Sequence, residues 1–234
     1  MVKEELNKRT PLRVFEQSIH GGLGKGNIGA LASRKGVGKT ACLVHIAMDK
    51  LFRNEPVLHV SFSSRMDHIV SWYEDTFKEI AQKRSLEQAM EVHDEIIRSR
   101  IIMNFNQKGL PMTGILKSIE TMIREGHFPA RCMIVDGFDL SMSAPEDLDR
   151  LKQFAQALGL EVWMSLSLKG PDPVFTDQGF PRELESWQEK FDVLISLRHK
   201  GKDVELSVVK DHGRITVSPM NLLLDTKSLL IVEK

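Results

Sequence analysis

The sequence predicts an α/β fold built on a mostly parallel sheet with helices on both faces, and three observations carry that expectation. Short apolar stretches alternate with segments of helical periodicity along most of the chain, a glycine-rich loop joins the first such pair, and the chain finishes in short β-rich pieces. Buried strands separated by helices imply parallel pairing, because each crossover must bury its apolar face against the sheet.

The elements follow in order. Asn27 to Ser33 (NIGALAS) is a short apolar strand running into the glycine loop, and Thr40 to Phe52 has helical periodicity. Val57 to Phe62 is the next strand. Met66, Ile69, Val70, Tyr73, Phe77 and Ile80 then recur at helical spacing, so an amphipathic helix is expected over Asp67 to Gln82. A further helix over Leu86 to Arg98 leads to a strand over Ile101 to Phe105. The run TGILKSIETMIREG reads as a helix closed by Gly126 and leads to the strand Cys132 to Asp136. Pro145 opens the next helix and Gly159 closes it, ahead of the strand Glu161 to Leu168. Lys169 to Pro181 is the one long irregular segment, with three prolines and two glycines, and loops of that length usually serve function or lack order. A short helix, the strands DVLISLRH and VELSVVK, and the pieces ITV, LLL and SLLIVE complete an antiparallel edge extension.

Composition narrows the class. The 234 residues suit a single α/β domain over 1–234, with 1–10 expected as a flexible tail. Hydrophobic residues at 41% and charged residues at 27% are globular rather than disordered values. Lys plus Arg and Asp plus Glu are both 32, which removes any bulk electrostatic case for nucleic acid or an anionic membrane. The charged start MVKEELNKRT lacks the apolar core of a secretory signal, and no run approaches the ~18 apolar residues of a membrane span, so a cytoplasmic protein is expected. Cys42 and Cys132 are too few for a disulfide scaffold or a zinc site and read as buried free thiols.

The chemistry concentrates in Ser33-Arg34-Lys35-Gly36-Val37-Gly38-Lys39-Thr40, a near match to G-x-x-x-x-G-K-[ST] with Ser in the first place. Such a loop turns successive backbone N–H groups inward around phosphate oxygens and then opens a helix whose N-terminus favours an anion. The candidate cofactor-binding set is therefore Ser33, Arg34, Lys35, Gly36, Val37, Gly38, Lys39, Thr40 and Ala41, with ATP or ADP and Mg²⁺ as the expected ligands. Lys39 would neutralise phosphate charge and the Thr40 hydroxyl would ligate the metal; Arg34 and Lys35 either add charge there or form a solvated basic pair. Asp136 closes the apolar strand CMIVD, the form in which a carboxylate reaches Mg²⁺ through water, although such an Asp also caps turns.

With these motifs in order, the chain resembles the KaiC-like branch of the RecA superfamily of P-loop ATPases, over about Pro11 to Gly213. The turn His20-Gly21-Gly22-Leu23-Gly24-Lys25-Gly26 stands where that family has G-G-L-x-x-G, VLHVSFSS is similar to its second strand, CMIVDGF to its Walker B strand, VWMSLSL to its sensor strand, and VELSVVKDHG to its closing strands. The resemblance implies a three-layer RecA-like fold and a nucleotide bound between copies, hence a homo-oligomer; a signalling protein partner is the other expectation. Two departures bear on turnover. The family's two water-activating glutamates are replaced by Ser63 and Ser64, whose hydroxyls are too weakly basic to supply the ~100 to 10,000-fold of general-base assistance. The closing K-x-R motif, which in the family reaches the neighbouring copy's γ-phosphate, keeps Lys210 but has His212 in place of the finger arginine, a part that contributes about 1,000-fold or more; Arg214 stands in as the trans contact only if the turn at Gly213 brings it round. The resemblance thus implies an ATP-binding protein that hydrolyses slowly or not at all and acts as a nucleotide-dependent switch or assembly module.

Competing readings are a DNA-dependent recombinase, a MinD/ParA-like switch, a small-molecule kinase and a nucleotide-free scaffold. The loops after the Walker B and sensor strands carry Asp139, Glu146, Asp147, Asp172 and Asp177 against Lys169, which opposes DNA phosphate contacts. Arg34 stands where MinD/ParA chains have their signature lysine, and Lys169 to Pro181 lacks the arginines of a kinase lid. Asp67, Glu74 and Asp139 read as surface, capping or loop acids in preference to replacement bases.

Overall fold

The computed structural model describes residues 10–62, 66–83, 89–170 and 173–234. The elements in chain order are α1 (Leu12–Ser18), β1 (Ile28–Arg34), α2 (Lys39–Phe52), β2 (Val57–Ser61), α3 (Met66–Lys83), α4 (Ala89–Arg98), β3 (Arg100–Asn104), α5 (Met112–Arg124), β4 (Cys132–Asp136), α6 (Pro145–Leu158), β5 (Glu161–Leu168), β6 (Val193–Lys200), β7 (Asp203–Asp211), β8 (Arg214–Leu224) and β9 (Ile231–Glu233), with 3₁₀ segments at Leu140–Met142 and Arg182–Lys190.

One sheet runs in the order β3-β2-β4-β5-β1-β6-β7-β8-β9. From β3 to β6 every pairing is parallel, and β7, β8 and β9 add antiparallel strands at the β6 side. This is the α/β class, with the mostly parallel sheet and antiparallel C-terminal extension, that the sequence predicts. After β1 the chain crosses to β2 on one side, whereas after β5 it moves to β6 on the other. The C-terminal ends of β1, β4 and β5 consequently meet at the point where the winding reverses, the place where open α/β sheets bind ligands.

Both faces are covered. Leu43, Met48 and Leu51 of α2 and Tyr73 and Phe77 of α3 bury against Leu31, Val57, Trp163 and Ile195 on one face. Ile115 and Ile119 of α5 and Leu148 and Leu151 of α6 bury against Ala30, Val60, Val135 and Met164 on the other. Each such large apolar side chain contributes about 1.5–3 kcal/mol relative to exposure. Cys42 and Cys132 lie in the first layer as free thiols, and burial pushes both up to about 12. His59 of β2 meets the Tyr73 hydroxyl at 3.0 Å, and burial, with the Arg100 charge adding to it, pushes the imidazole down to about 3, so it is a neutral core group.

Some elements differ from the sequence reading. Helix α1 was not foreseen; it docks through Leu12 and Phe15, with the Phe15 ring edge-on to Trp163 at 5.4 Å. Arg13 and Arg53 share the buried Asp49 carboxylate, which fastens α1 to the end of α2. Thr10, the last residue of the expected tail, is buried and its carbonyl accepts from Arg13 N, while residues 1–9 lie outside the described residues. The helix expected from Leu86 is described from Ala89 onward. The pieces ITV and LLL belong to one continuous strand, β8, whose pairing to β7 carries register shifts. The short helix after Pro181 is the 3₁₀ segment, and the preceding loop folds back on itself through a Phe175 to Pro181 bridge, with the Arg198 guanidinium 3.6 Å from the centre of the Phe175 ring.

Candidate functional site

Strand β1 delivers Ser33 and Arg34 to its C-terminal end, the loop turns over Lys35 to Gly38, and α2 begins at Lys39. Gly36 (φ +82°) and Gly38 (φ +113°) occupy backbone conformations that side chains rarely adopt, and a Cβ on Gly38 would run into the Leu224 side chain. The first bond of α2 runs from Cys42 N to the Gly38 carbonyl (3.1 Å), so the N–H groups of Lys39, Thr40 and Ala41 precede it, and Gly38 has no side chain with which to cap them.

Lys39 is buried, and its ammonium donates to the Ser33 carbonyl at 3.0 Å, the Ser33 hydroxyl at 3.2 Å and the Arg34 carbonyl at 2.8 Å. Burial pushes its pKa down to about 8, and the Asp136 charge works in the opposite direction. Next along the helix, the Thr40 hydroxyl donates to Asp136 Oδ2 at 3.0 Å, joining residues 96 positions apart. The other Asp136 oxygen accepts from the Ser165 hydroxyl at 2.7 Å, and Ser165 in turn accepts from Gly137 N at 2.9 Å. Strand β5 lies between β1 and β4, which is why a serine on β5 can aim the carboxylate of β4 at the loop after β1.

Above these groups opens a cavity of about 1220 Å³. The loop, Asp136 and Ser165 line it, with Leu224, Thr226 and Leu229 from the antiparallel side and Phe62, Phe138 and Asp139 from the β2–β4 side. The Thr40 hydroxyl and the Asp136 carboxylate are hard oxygen groups of the kind that Mg²⁺ takes, directly or through water. Among the described residues no cluster of three or more His, Cys, Asp and Glu forms an all-protein metal site.

The chain matches no protein-family model and no curated protein. Its function is therefore argued from the arrangement of its own residues.

Of the residues singled out from the sequence, Lys35 to Ala41 and Asp136 line this one cavity, while Ser33 and Arg34 stand behind it and meet it through the Lys39 ammonium. Ser63 and Ser64 lie outside the described residues; Phe62 N donates to the Asp136 carbonyl at 2.9 Å, so the chain enters that stretch from beside the site. Lys210, His212 and Arg214, expected as contacts to the nucleotide of a neighbouring copy, lie away from the cavity of their own chain. Strand β7 runs antiparallel to β6, so its end at Asp211 pairs with Val193 at the start of β6, at the opposite end of the sheet from the loop. Lys210 is buried and donates to the Gln188 carbonyl at 2.6 Å. His212 contacts the Asp211 carboxylate through Nδ1 at 2.5 Å and the Leu23 carbonyl through Nε2 at 3.1 Å. Burial opposes a charge on His212, yet these two acceptors outweigh it and hold the imidazole above its ordinary pKa. Arg214 is exposed.

The acids near the cavity are engaged as caps. Asp139 accepts from Ser141 N at 2.9 Å and from the Ser141 hydroxyl at 2.7 Å, and these bonds hold its carboxyl below the usual range, which makes it a poor proton acceptor. Glu183 accepts from Lys169 N at 2.9 and 3.1 Å. Asp67 is exposed on α3, and Glu74 contacts His93 at 2.8 Å. Sequence reasoning passed over Ser165 and Leu224. The available signal for Ser165 was that it is the serine of EVWMSLSL flanked by the apolar Met164 and Leu166, a position it shares in kind with Ser167; nothing local marked Leu224.

Proposed function

We propose that the chain is a RecA-like P-loop protein that binds ATP with Mg²⁺ at the loop from Ser33 to Ala41 and turns it over slowly or not at all. The observation that carries this reading is the Thr40 to Asp136 hydrogen bond at 3.0 Å, which pairs the hydroxyl opening α2 with the carboxylate closing β4 beside a buried lysine. A solvated Gly/Lys turn has no reason to bury an ammonium against a carboxylate's charge. The loop N–H groups and Lys39 receive the phosphates, while Thr40 and Asp136 hold the metal, which when bound neutralises phosphate charge.

Slow turnover follows from the carboxylate inventory. Asp136 is committed to Thr40 and Ser165, Asp139 and Glu183 cap backbone, and the positions that would supply a general base are Ser63 and Ser64. A nucleotide shared between copies would also need a cation from the neighbour. Lys210 and His212 already have partners within their own chain, which leaves Arg214 as the exposed cation of that motif. Self-assembly around the nucleotide is the partner reading that the family resemblance implies, and it rests on Arg214 for that cation.

Calorimetric titration of ATP and Mg²⁺ into the whole chain, together with a thermal-shift measurement, tests the binding reading. Saturable heat and a raised Tm are expected; neither heat nor shift would remove it.

A further inference from the structure

We infer that Ser33, the residue departing from the glycine of the phosphate-loop pattern, restrains Lys39 and sets the nucleotide affinity of the loop below what the same cradle would otherwise give. The inference rests on the nucleotide-binding reading above. An ammonium has three donors, and those of Lys39 meet three acceptors in its own loop: the Ser33 carbonyl, the Arg34 carbonyl and the Ser33 hydroxyl. The two carbonyls belong to the backbone and would be present whatever residue stood at 33. The hydroxyl is the acceptor that serine adds and glycine cannot.

The hydroxyl is itself held in place. It donates to the Arg34 carbonyl at 3.0 Å, which turns a lone pair toward the ammonium, and Ser33 is 2% exposed, so water does not compete for either contact. To reach a phosphate, Lys39 must give up at least one of its present acceptors. Any acceptor given up on binding subtracts from affinity, because only the difference between the free and bound states counts. The hydroxyl contact at 3.2 Å is the longest of the three and the first to be exchanged. Ser33 therefore acts as a positioning residue that tunes affinity through Lys39.

The test is calorimetry of Mg²⁺ with ATP on wild type, Ser33→Ala and Ser33→Thr, with Ser33→Ala repeated in a Lys39→Met background. Ser33 has no positive φ, so alanine fits its backbone, and Ser33→Gly gives the same reading should the alanine variant fail to fold. Removing the hydroxyl should tighten binding roughly three- to tenfold, the worth of one intramolecular hydrogen bond. Ser33→Thr, which keeps the hydroxyl, should match wild type, and the gain should vanish when Lys39 is absent. Unchanged or weaker binding by Ser33→Ala, or a gain that persists without Lys39, overturns the inference while leaving nucleotide binding intact. No heat from wild type or from any variant overturns both.

Discussion

The two ends of the sheet carry similar residues and use them differently. At the end where β1, β4 and β5 finish, Lys39, Thr40, Asp136 and Ser165 face an open cavity, and their hydrogen bonds are ones that a ligand can exchange. At the other end, the Asp211 carboxylate meets His212 through one oxygen and His20 through the other, and the neighbouring Lys210 donates to the Gln188 carbonyl. There each group meets a partner from elsewhere in its own chain, Gln188 or Leu23 among them, and the contacts close the β7–β8 turn onto the segments beside it. Both lysines lean on backbone carbonyls, so what separates the two clusters is the cavity: one opens on it, and the other is closed in by the chain's own segments.

The sharpest way to break this contrast is to truncate one lysine at each end. Lys39→Met should weaken binding of ATP with Mg²⁺ by about 100-fold or more, because a charge-assisted phosphate contact is lost. Lys210→Met should leave nucleotide affinity unaltered while the Gln188 carbonyl loses its donor, costing about 1–3 kcal/mol of stability. If both variants change affinity equally, the two ends are not distinct.

A second contrast concerns chemistry at the cavity end. Replacing Ser63 and Ser64 together by Glu should raise ATPase turnover, by up to ~100-fold if general-base assistance is what is missing. An unchanged rate in a folded double variant would assign slow turnover to the absent finger arginine.

Protonation separates the ends next. Lys39 carries its charge below its pKa of about 8, so nucleotide affinity should hold through neutral pH and decline as pH rises past that value; a flat profile to pH 10 would contradict a binding role for the ammonium. His212, with its folded-state pKa raised above 6.5, stabilises the fold most fully below that pH and loses the contribution as pH rises through the raised value. The Tm advantage of wild type over His212→Gln should therefore shrink with increasing pH, the smallest of these effects because the ring is partly solvated. An advantage independent of pH would make the contact a matter of packing.

Much of this was legible in the sequence, and the limits have physical reasons. The loop and its flanking strand and helix declare themselves because glycine, lysine and threonine at fixed spacing answer to local backbone geometry. Asp136 was readable because it ends an apolar run. Helix α1 was not, since seven residues carry too little periodicity and its anchors, Trp163 and Asp49, are distant in sequence. Ser165 and Leu224 were hidden for a related reason: their roles come from strand order, which puts β5 between the loop and Asp136 and folds the end of β8 back against Gly38. The place of Lys210 and His212 likewise depended on β7 running antiparallel, which motif spacing does not encode.

The claim that Thr40 and Asp136 form the metal-binding half of a phosphate site is tested most directly by titrating ATP into wild type and Asp136→Asn, each with Mg²⁺ and with a chelator. Wild type should bind about tenfold or more tightly with the metal than without it, and that difference should collapse in Asp136→Asn while metal-free binding persists. Equal affinities with and without Mg²⁺ in wild type, or no heat under either condition, would contradict it.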